Sequence, residues 1–507
     1  MKRHLLTFIT VLAVYAAQAQ FFVGLRGSSY GGVTNVDYNP AIADNKFIVD
    51  INLIAVAANV NNNYVGLSRK AVFHPSLFTN SNFQWQYLQE RINGKSKNVY
   101  VGTQITGPLS FMFSFGPKKN HNKNAIAFTY HNNSLVNTDN ISETLARSSY
   151  YGLGDRADAA VHFLGKNLSN PNLAVRAAVW NDYGITYSRE IINKKANLIK
   201  VGGTLKLLQP ITGAYAYSNN VNYKWSEFDQ LNIYNTQLNY AYSKGFITSK
   251  EYLPQNIAQN VPDYINGLFS FKNASPTAAA DLGVIYEWRP DKDKPAGETS
   301  CDCETYYKKD NYKISAGLSI VDIGALHFNR APNTDNLYAN IQSWSVAGIQ
   351  FPNGLQSFND TLRSRFQSLA SKNSFNIWLP TRINMFVDYN IKYNFGVNFS
   401  ATISPQLSSQ RNMLHQVSFF TVTPKYELMW FGAYLPVSYD AFGNFSVGTT
   451  LRLGPLIIGS QDLLGFLIKK YIYNADVHVA LKITIPNHKR CPKGDIRFTK
   501  KDHSSKR

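Results

Sequence analysis

A serine between glycines, Gly27-Ser28-Ser29-Tyr30-Gly31, has the Gly-x-Ser-x-Gly spacing of the hydrolase nucleophile elbow. That chemistry needs a strand running into the serine, a helix leaving it, and histidine and acid partners later in the chain. No strand pattern precedes Ser29, so the match carries no nucleophile. Cys301 and Cys303 form a Cys-Asp-Cys pair in a polar stretch, with no histidine or second cysteine pair nearby to complete a tetrahedral metal site. With Cys491 the cysteines number three, and an odd count in an exported chain leaves at least one thiol free or joined to another molecule. The ten histidines are scattered. Only His478 falls on the polar face of a well-defined strand, and no nucleophile is matched to it by spacing. No enzymatic activity, metal or other cofactor is expected.

Charges that face an enclosed interior offer a different chemistry. Lys200, Lys206, Arg382, Arg452 and Lys482 fall on polar strand faces, against Asp182, Asp388 and Asp476. Lys206, Arg382, Arg452 and Lys482 are therefore candidate contacts for the carboxylate of an amphiphilic ligand crossing a lumen. The competing role is structural, since charges in a low-dielectric interior pair with one another or with whatever fills it. Either role needs a closed wall.

The elements that build such a wall are clearest between Ser374 and Ile485. In Ala475–Ile485, Val477, Val479, Leu481, Ile483 and Ile485 alternate with Asp476, His478, Ala480, Lys482 and Thr484. Tyr393–Ile403 and Phe445–Leu453 alternate in the same way. Strict period-two patterning puts one face in an apolar medium and the other in a polar one. A soluble sheet with one wet face alternates too, so composition has to decide. Aromatic residues make up 14% of the chain, with 31 Tyr and 31 Phe, and charged residues only 16%. Aromatic girdles and a sparsely charged surface suit a membrane barrel. Past the N-terminus the nearest candidate, Leu463–Ile468, is far too short for a membrane helix. The net charge of +19 would suit nucleic acid, but +6 of it sits in the short tail 486–507 and no nucleic-acid fold signature accompanies it. Nucleic acid is not an expected partner.

Taken in order, residues 1–19 read as a signal peptide: basic Lys2 and Arg3, apolar Leu5–Val14, and Ala17-Gln18-Ala19 for cleavage. Residues 20–45, rich in Gly, Ser and Asn and containing Asn39-Pro40-Ala41, suit a plug or hatch. Residues 46–485 are expected to form an all-β, antiparallel transmembrane barrel, and 486–507 a basic tail. Asn80–Gly102 reads as a polar loop, His415–Val422 and Phe445–Ile458 each as one strand, and Thr212–Tyr223 as a separate strand or an extension of the one before it. Gly324–Asn373 is one of the long, partly helical insertions, with a stripe of Phe358, Leu362, Phe366 and Leu369 at helical spacing that marks packing. The strands number about fourteen, within the range such barrels show. An even count puts both termini at the same end.

The export signal followed by Asn39-Pro40-Ala41 and a strand resembles the long-chain fatty-acid transporter superfamily of outer-membrane barrels. The resemblance is closer to a Bacteroidota outer-membrane family known as a domain of unknown function. It is carried by Ser29-Tyr30-Gly31-Gly32, Lys206-Leu207-Leu208-Gln209, Asp281-Leu282-Gly283-Val284, Leu379-Pro380-Thr381-Arg382, Tyr434-Leu435-Pro436 and Leu451-Arg452-Leu453-Gly454-Pro455-Leu456-Ile457-Ile458-Gly459. It implies an outer-membrane barrel with an N-terminal plug, in contact with membrane lipid. The basic tail after Ile485 departs from the aromatic strand terminus usual for such barrels. The expected function is passive transport of a hydrophobic or amphiphilic, including anionic, small molecule. The alternative is a non-transporting barrel that anchors or assists a secretion or cell-surface protein complex.

Overall fold

The computed structural model describes residues 22–43 except 29, 47–72, 87–107, 110–116, 123–152, 163–227, 230–244, 274–290, 312–345 except 333, 355–406 except 393, and 411–486. The signal peptide, Ser29, Cys301, Cys303, Cys491 and the tail beyond Pro486 lie outside these residues.

Fourteen antiparallel staves close into one ring. They are β1 (Phe47–Asn62), β2 (Lys97–Thr106, continued by Ser110–Phe115), β3 (Asn124–Ile141), β4 (Ala174–Lys194), β5 (Asn197–Tyr217), β6 (Thr277–Trp288) and β7 (Ile314–Asn329). The second half comprises β8 (Arg382–Lys392), β9 (Phe395–Ile403), β10 (Phe419–Glu427), β11 (Phe431–Tyr434, continued by Val437–Asp440), β12 (Phe445–Val447, continued by Thr449–Leu453), β13 (Leu456–Ser460) and β14 (Asn474–Pro486). Each stave pairs with its neighbour in the chain, and β14 pairs with β1 from Phe47↔Pro486 to Asn61↔Asn474. Closure leaves no unpaired strand edge around the ring.

The polarity of the wall is inverted relative to a soluble sheet. On β5, Leu205 is 75% exposed and Leu207 is also exposed, while Lys200, Thr204 and Lys206 are buried. On β14, Val477, Val479, Leu481 and Ile483 point out, with His478 and Lys482 buried. The same holds for Ile54 and Val56 on β1, Phe111 and Phe113 on β2, Leu318 and Ile320 on β7, and Met385 and Val387 on β8. An apolar belt of this extent is far larger than soluble monomers expose, and it matches the outward band of a barrel standing in hydrocarbon. Among the described residues no helix is long and apolar enough to cross a membrane.

One consequence is directly testable. Leu205→Lys places a charge in the belt, which costs about 2–4 kcal/mol in mid-bilayer and falls toward the interfaces. The yield of heat-modifiable, SDS-resistant protein in membranes should drop clearly for this variant and stay normal for Leu205→Phe. Equal yields would mean that this face does not meet lipid.

The ends of the ring differ. Phe47 and Pro486 lie at one end with the tight turns at Lys195-Ala196, 428–430 and Gly454-Pro455, the close approach of Lys392 to Phe395, and one longer connection, between Trp288 and Ile314. The other end carries the long connections between Asn62 and Lys97, Ile141 and Ala174, Tyr217 and Thr277, and Asn329 and Arg382. There a further sheet rises from the rim, in which Gln230–Tyr242 pairs with β5, Asn220–Trp225 and Asn336–Ser345. Helix α1 (Leu355–Arg365) belongs to this sheet's packing, because buried Leu362 and Phe366 join Ile233, Leu337 and Ala339 in one apolar cluster.

Several expected boundaries move. Lys97–Thr106 is wall, not loop: its inward positions Lys97, Tyr100, Gly102, Gln104 and Thr106 are mostly polar, which disguised it. Phe445–Ile458 is two staves, because Gly454 takes φ 57° ahead of Pro455, the glycine-first pattern of a tight hairpin turn. Asn197–Tyr217 runs unbroken, so the segment from Thr212 extends β5. The strand expected from His415 begins only at Phe419.

Candidate functional site

Residues 22–43 lie across the lumen and touch the wall on every side. Asn39 donates through Nδ2 to the carbonyls of Val284 on β6 (3.3 Å) and Leu318 on β7 (3.2 Å). The Tyr38 carbonyl accepts from Ser319 Oγ (2.6 Å) and Asn384 Nδ2 (2.9 Å), and the Tyr38 hydroxyl donates to the Met385 carbonyl (2.9 Å). Ala43 N donates to Ser188 Oγ on β4 (3.0 Å), Val33 N to Asp50 Oδ2 on β1 (3.0 Å), and Ser28 Oγ to Glu427 Oε1 on β10.

Two wall glycines explain the position of Asn39-Pro40-Ala41. Gly202 on β5 and Gly283 on β6 are direct register partners. A Cβ on Gly202 would stand 2.1 Å from the Pro40 carbonyl oxygen, and one on Gly283 would stand 2.2 Å from Asn39 Oδ1. The absence of side chains at this pair lets the segment's backbone lie flat against the wall. Packing is equally close elsewhere. A void of only about 10 Å³ remains between Phe22, Val33, Thr34 and Asp37 and the wall residues around His131, scarcely enough to hold one water.

The candidate cations are all buried and all engaged. Lys206 Nζ lies 2.9 Å from Asp281 Oδ2 and 2.6 Å from Asp322 Oδ1. Arg382 Nη2 meets Asp322 Oδ2 at 2.5 Å. Lys482 Nζ donates to Asp50 Oδ2 and to the Gly31 carbonyl, both at 2.8 Å, so it ties segment to wall. Arg452 donates to the carbonyls of Leu428, Met429 and Phe431 and lies 4.6 Å from the Tyr30 ring centroid. Lys206 and Arg382 thus share one acid, while Lys482 and Arg452 sit in separate groups. Lys200 pairs with Glu287 at 2.6 Å, and Lys425 bridges Asp388 (2.6 Å) and Glu427 (2.9 Å).

Sequence reasoning missed the segment's own charges. His131 on β3 lies between Asp37 (3.0 Å) and Asp182 (2.9 Å), and an imidazole that donates to two carboxylates is protonated. Burial works to raise the Asp37 carboxyl, but His131 and Lys206 hold it below the usual range. Arg26 has no carboxylate partner among the described residues. It donates to Thr402 Oγ1 (2.8 Å) and lies near the Tyr38 and Phe419 rings, 4.8 and 4.6 Å from their centroids. Burial, with some help from Arg382, pushes its guanidinium down to about 10. His478 does find a hydroxyl, Thr450 Oγ1 at 3.0 Å, but the Phe22 ring covers the imidazole edge-on.

A second element fills the lumen toward the long-loop end. Residues 411–417 leave the β9–β10 side and reach β3 and β4 on the far side of the ring. Asn137 exchanges two hydrogen bonds with the backbone of His415 (3.0 and 2.9 Å), and His415 Nε2 meets Asp139 at 2.9 Å. Buried Leu414 and Val417 join Leu379, Ile377, Phe375, Trp180 and Leu135 in an apolar layer. The sequence assigns His415–Val417 to the following strand and marks nothing at 411–414, so the segment's place in the lumen was not foreseen.

Beyond that layer lies an open cavity of about 770 Å³. Its lining includes Tyr215, Tyr217, Phe375, Trp378, Arg330, Lys372 and Arg411. Among the described residues no cluster of His, Cys, Asp or Glu is arranged to hold a metal.

No curated protein matches the chain. Among solved structures, the monoaromatic hydrocarbon channel TodX, as a deltaS2 mutant, is similar at 8% identity with a TM-score of 0.27, over 90% of this chain and 95% of that one. CdiB from Acinetobacter baumannii is similar at 8% identity and a TM-score of 0.19, over 86% of this chain and 60% of that one. The FrpB iron transporter from Neisseria meningitidis, F3-3 variant, gives 9% identity and a TM-score of 0.14, over 85% and 81%. A family model matches residues 40–461, most of the chain, and the protein belongs to that family, described as a family of unknown function (DUF5723).

Proposed function

We propose that this chain is an outer-membrane barrel that passes a hydrophobic or amphiphilic small molecule by passive diffusion, with residues 22–43 as an inner gate and 411–417 as an outer one. The observation that carries this reading is the pairing of a closed, apolar-belted ring with an open cavity at the end of the long connections. Outer-membrane barrels have short periplasmic turns and long extracellular loops, so the end with the termini and tight turns faces the periplasm and the cavity faces outward. A purely structural barrel has no need of an open aromatic vestibule above two separate closures. No catalytic role enters the reading, since the Thr450–His478 pair is sealed under Phe22.

The test is initial-rate uptake of a neutral aromatic such as naphthalene by cells expressing the protein in their outer membrane. Uptake should exceed that of cells expressing an unrelated closed barrel, and should saturate. Equal rates overturn the transport reading. The extra sheet above the rim favours a second reading, in which the barrel anchors a surface or secretion complex. That reading predicts a stoichiometric protein partner after purification in mild detergent and no change in uptake.

A further inference from the structure

We infer that the open cavity binds an organic anion with a planar apolar body, such as an aromatic carboxylate. The site deepens the conduit reading above and rests on it only for what happens after capture. About 770 Å³ falls within the range of pockets that enclose small ligands. Among the described residues the lining holds three cations, Arg330, Lys372 and Arg411, and no carboxylate. Acids in the surrounding structure are engaged elsewhere. Asp139 is paired with Arg176 and bonded to His415, and Asp335 accepts from Ser371 (3.0 Å) with Arg363 at 3.7 Å. Such a concavity concentrates anions from solution.

Orientation comes from two further features. Arg330 is nine-tenths buried and held rigid, with Nη1 donating to the Tyr240 and Thr334 carbonyls and Nη2 to the Tyr215 hydroxyl. Its Nε–H has no partner, and neither do the buried side-chain oxygens of Asn336 and Asn412 in the same lining. A fixed guanidinium with one free donor suits a carboxylate oxygen. Tyr215 meets Phe375 edge-to-face at 5.2 Å and stacks with Tyr217 at 5.7 Å, and Trp378 is 40% exposed. Rings so placed favour a flat apolar body over a flexible chain.

The experiment compares a naphthoate with its neutral isostere naphthylmethanol, binding to the full-length protein in lipid nanodiscs. The naphthoate should bind more tightly, on the order of 10-fold as a charged hydrogen bond gives, and its advantage should shrink as salt rises. Arg330→Gln should abolish the preference. Because Arg330 also braces the rim sheet, the double variant Lys372→Gln, Arg411→Gln is the second arm and should weaken the preference while leaving those braces intact. Equal affinity for the two probes, or a preference unchanged in both variants, overturns the inference. Naphthoate bound without being taken up by cells removes the conduit reading and leaves this site standing. Uptake indifferent to the charge of the probe does the reverse.

Discussion

Asp322→Asn should clearly lower the temperature at which the folded ring loses its SDS resistance. The reason is stoichiometric. One carboxylate serves two buried cations, with Oδ1 on Lys206 and Oδ2 on Arg382. Lys206 retains Asp281 when Asp322 is neutralised, but among the described residues Arg382 then keeps only Gln416, at 3.5 Å. A buried charge stripped of its partner costs about 3–5 kcal/mol, whereas the more exposed Arg363–Asp335 pair falls nearer the range of about 0–1 kcal/mol seen at surfaces. The double variant Asp322→Asn, Arg382→Met should recover most of the loss, because the stranded charge has gone. It also separates the two roles open to Arg382. If that side chain contacts an anionic ligand in transit, the double variant stays stable yet takes up the naphthoate more slowly than wild type. A melting midpoint unmoved by Asp322→Asn would show that Arg382 is solvated in the lumen and that the ionic network is not what holds this part of the wall.

The wall was largely legible in the sequence because a strand between lipid and a polar lumen must alternate, and β14 and β9 do so without exception. Legibility failed where that rule was masked. Lys97–Thr106 hid behind its polar inward side chains, and the Gly454-Pro455 turn lay within an otherwise apolar run. The strand count nevertheless agrees when Thr212–Tyr223 is counted as a separate strand, since that extra stave offsets the one fused across the turn. The contents of the lumen were harder to read. Asn39-Pro40-Ala41 stood out as a motif, but the glycines that receive it are more than 160 positions away (Gly202) and more than 240 (Gly283), and only strand register brings them together. Likewise Arg382, Lys206 and Lys482 could be assigned to the inner face by periodicity, while their acids, Asp322, Asp281 and Asp50, come from other staves. Residues 411–417 form no strand, because their backbone is satisfied by side chains such as Asn137 and Ser404 and by one isolated bridge to Trp378 rather than by a ladder.

The register partners Gly202 and Gly283 give a way to release the inner segment without altering any of its residues. With alanine at both positions, each new Cβ would overlap Asn39 or Pro40, and at Gly202 the obstructing atom is backbone that cannot rotate away. Overpacking of this kind costs about 1–3 kcal/mol per site, and the segment can relieve it by leaving the wall, whereas the ring cannot. Amide exchange at Val33, Asn39 and Ala43 should therefore accelerate, on the order of 10- to 100-fold for a loss of that size. The SDS-resistant mobility of the ring should be retained. Ion conductance across a planar bilayer should stay close to that of wild type in this variant, because 411–417 and the layer of Leu414, Val417, Leu379 and Ile377 still close the other half of the lumen. Replacing 411–417 by a short glycine-serine turn in the same background should then open a stable pore, while that replacement alone should not. Two closures in series require this pattern. Full conductance from the glycine substitutions alone would show that the outer layer is no barrier, and low conductance with both closures removed would show that the ring collapses without its contents and is no conduit.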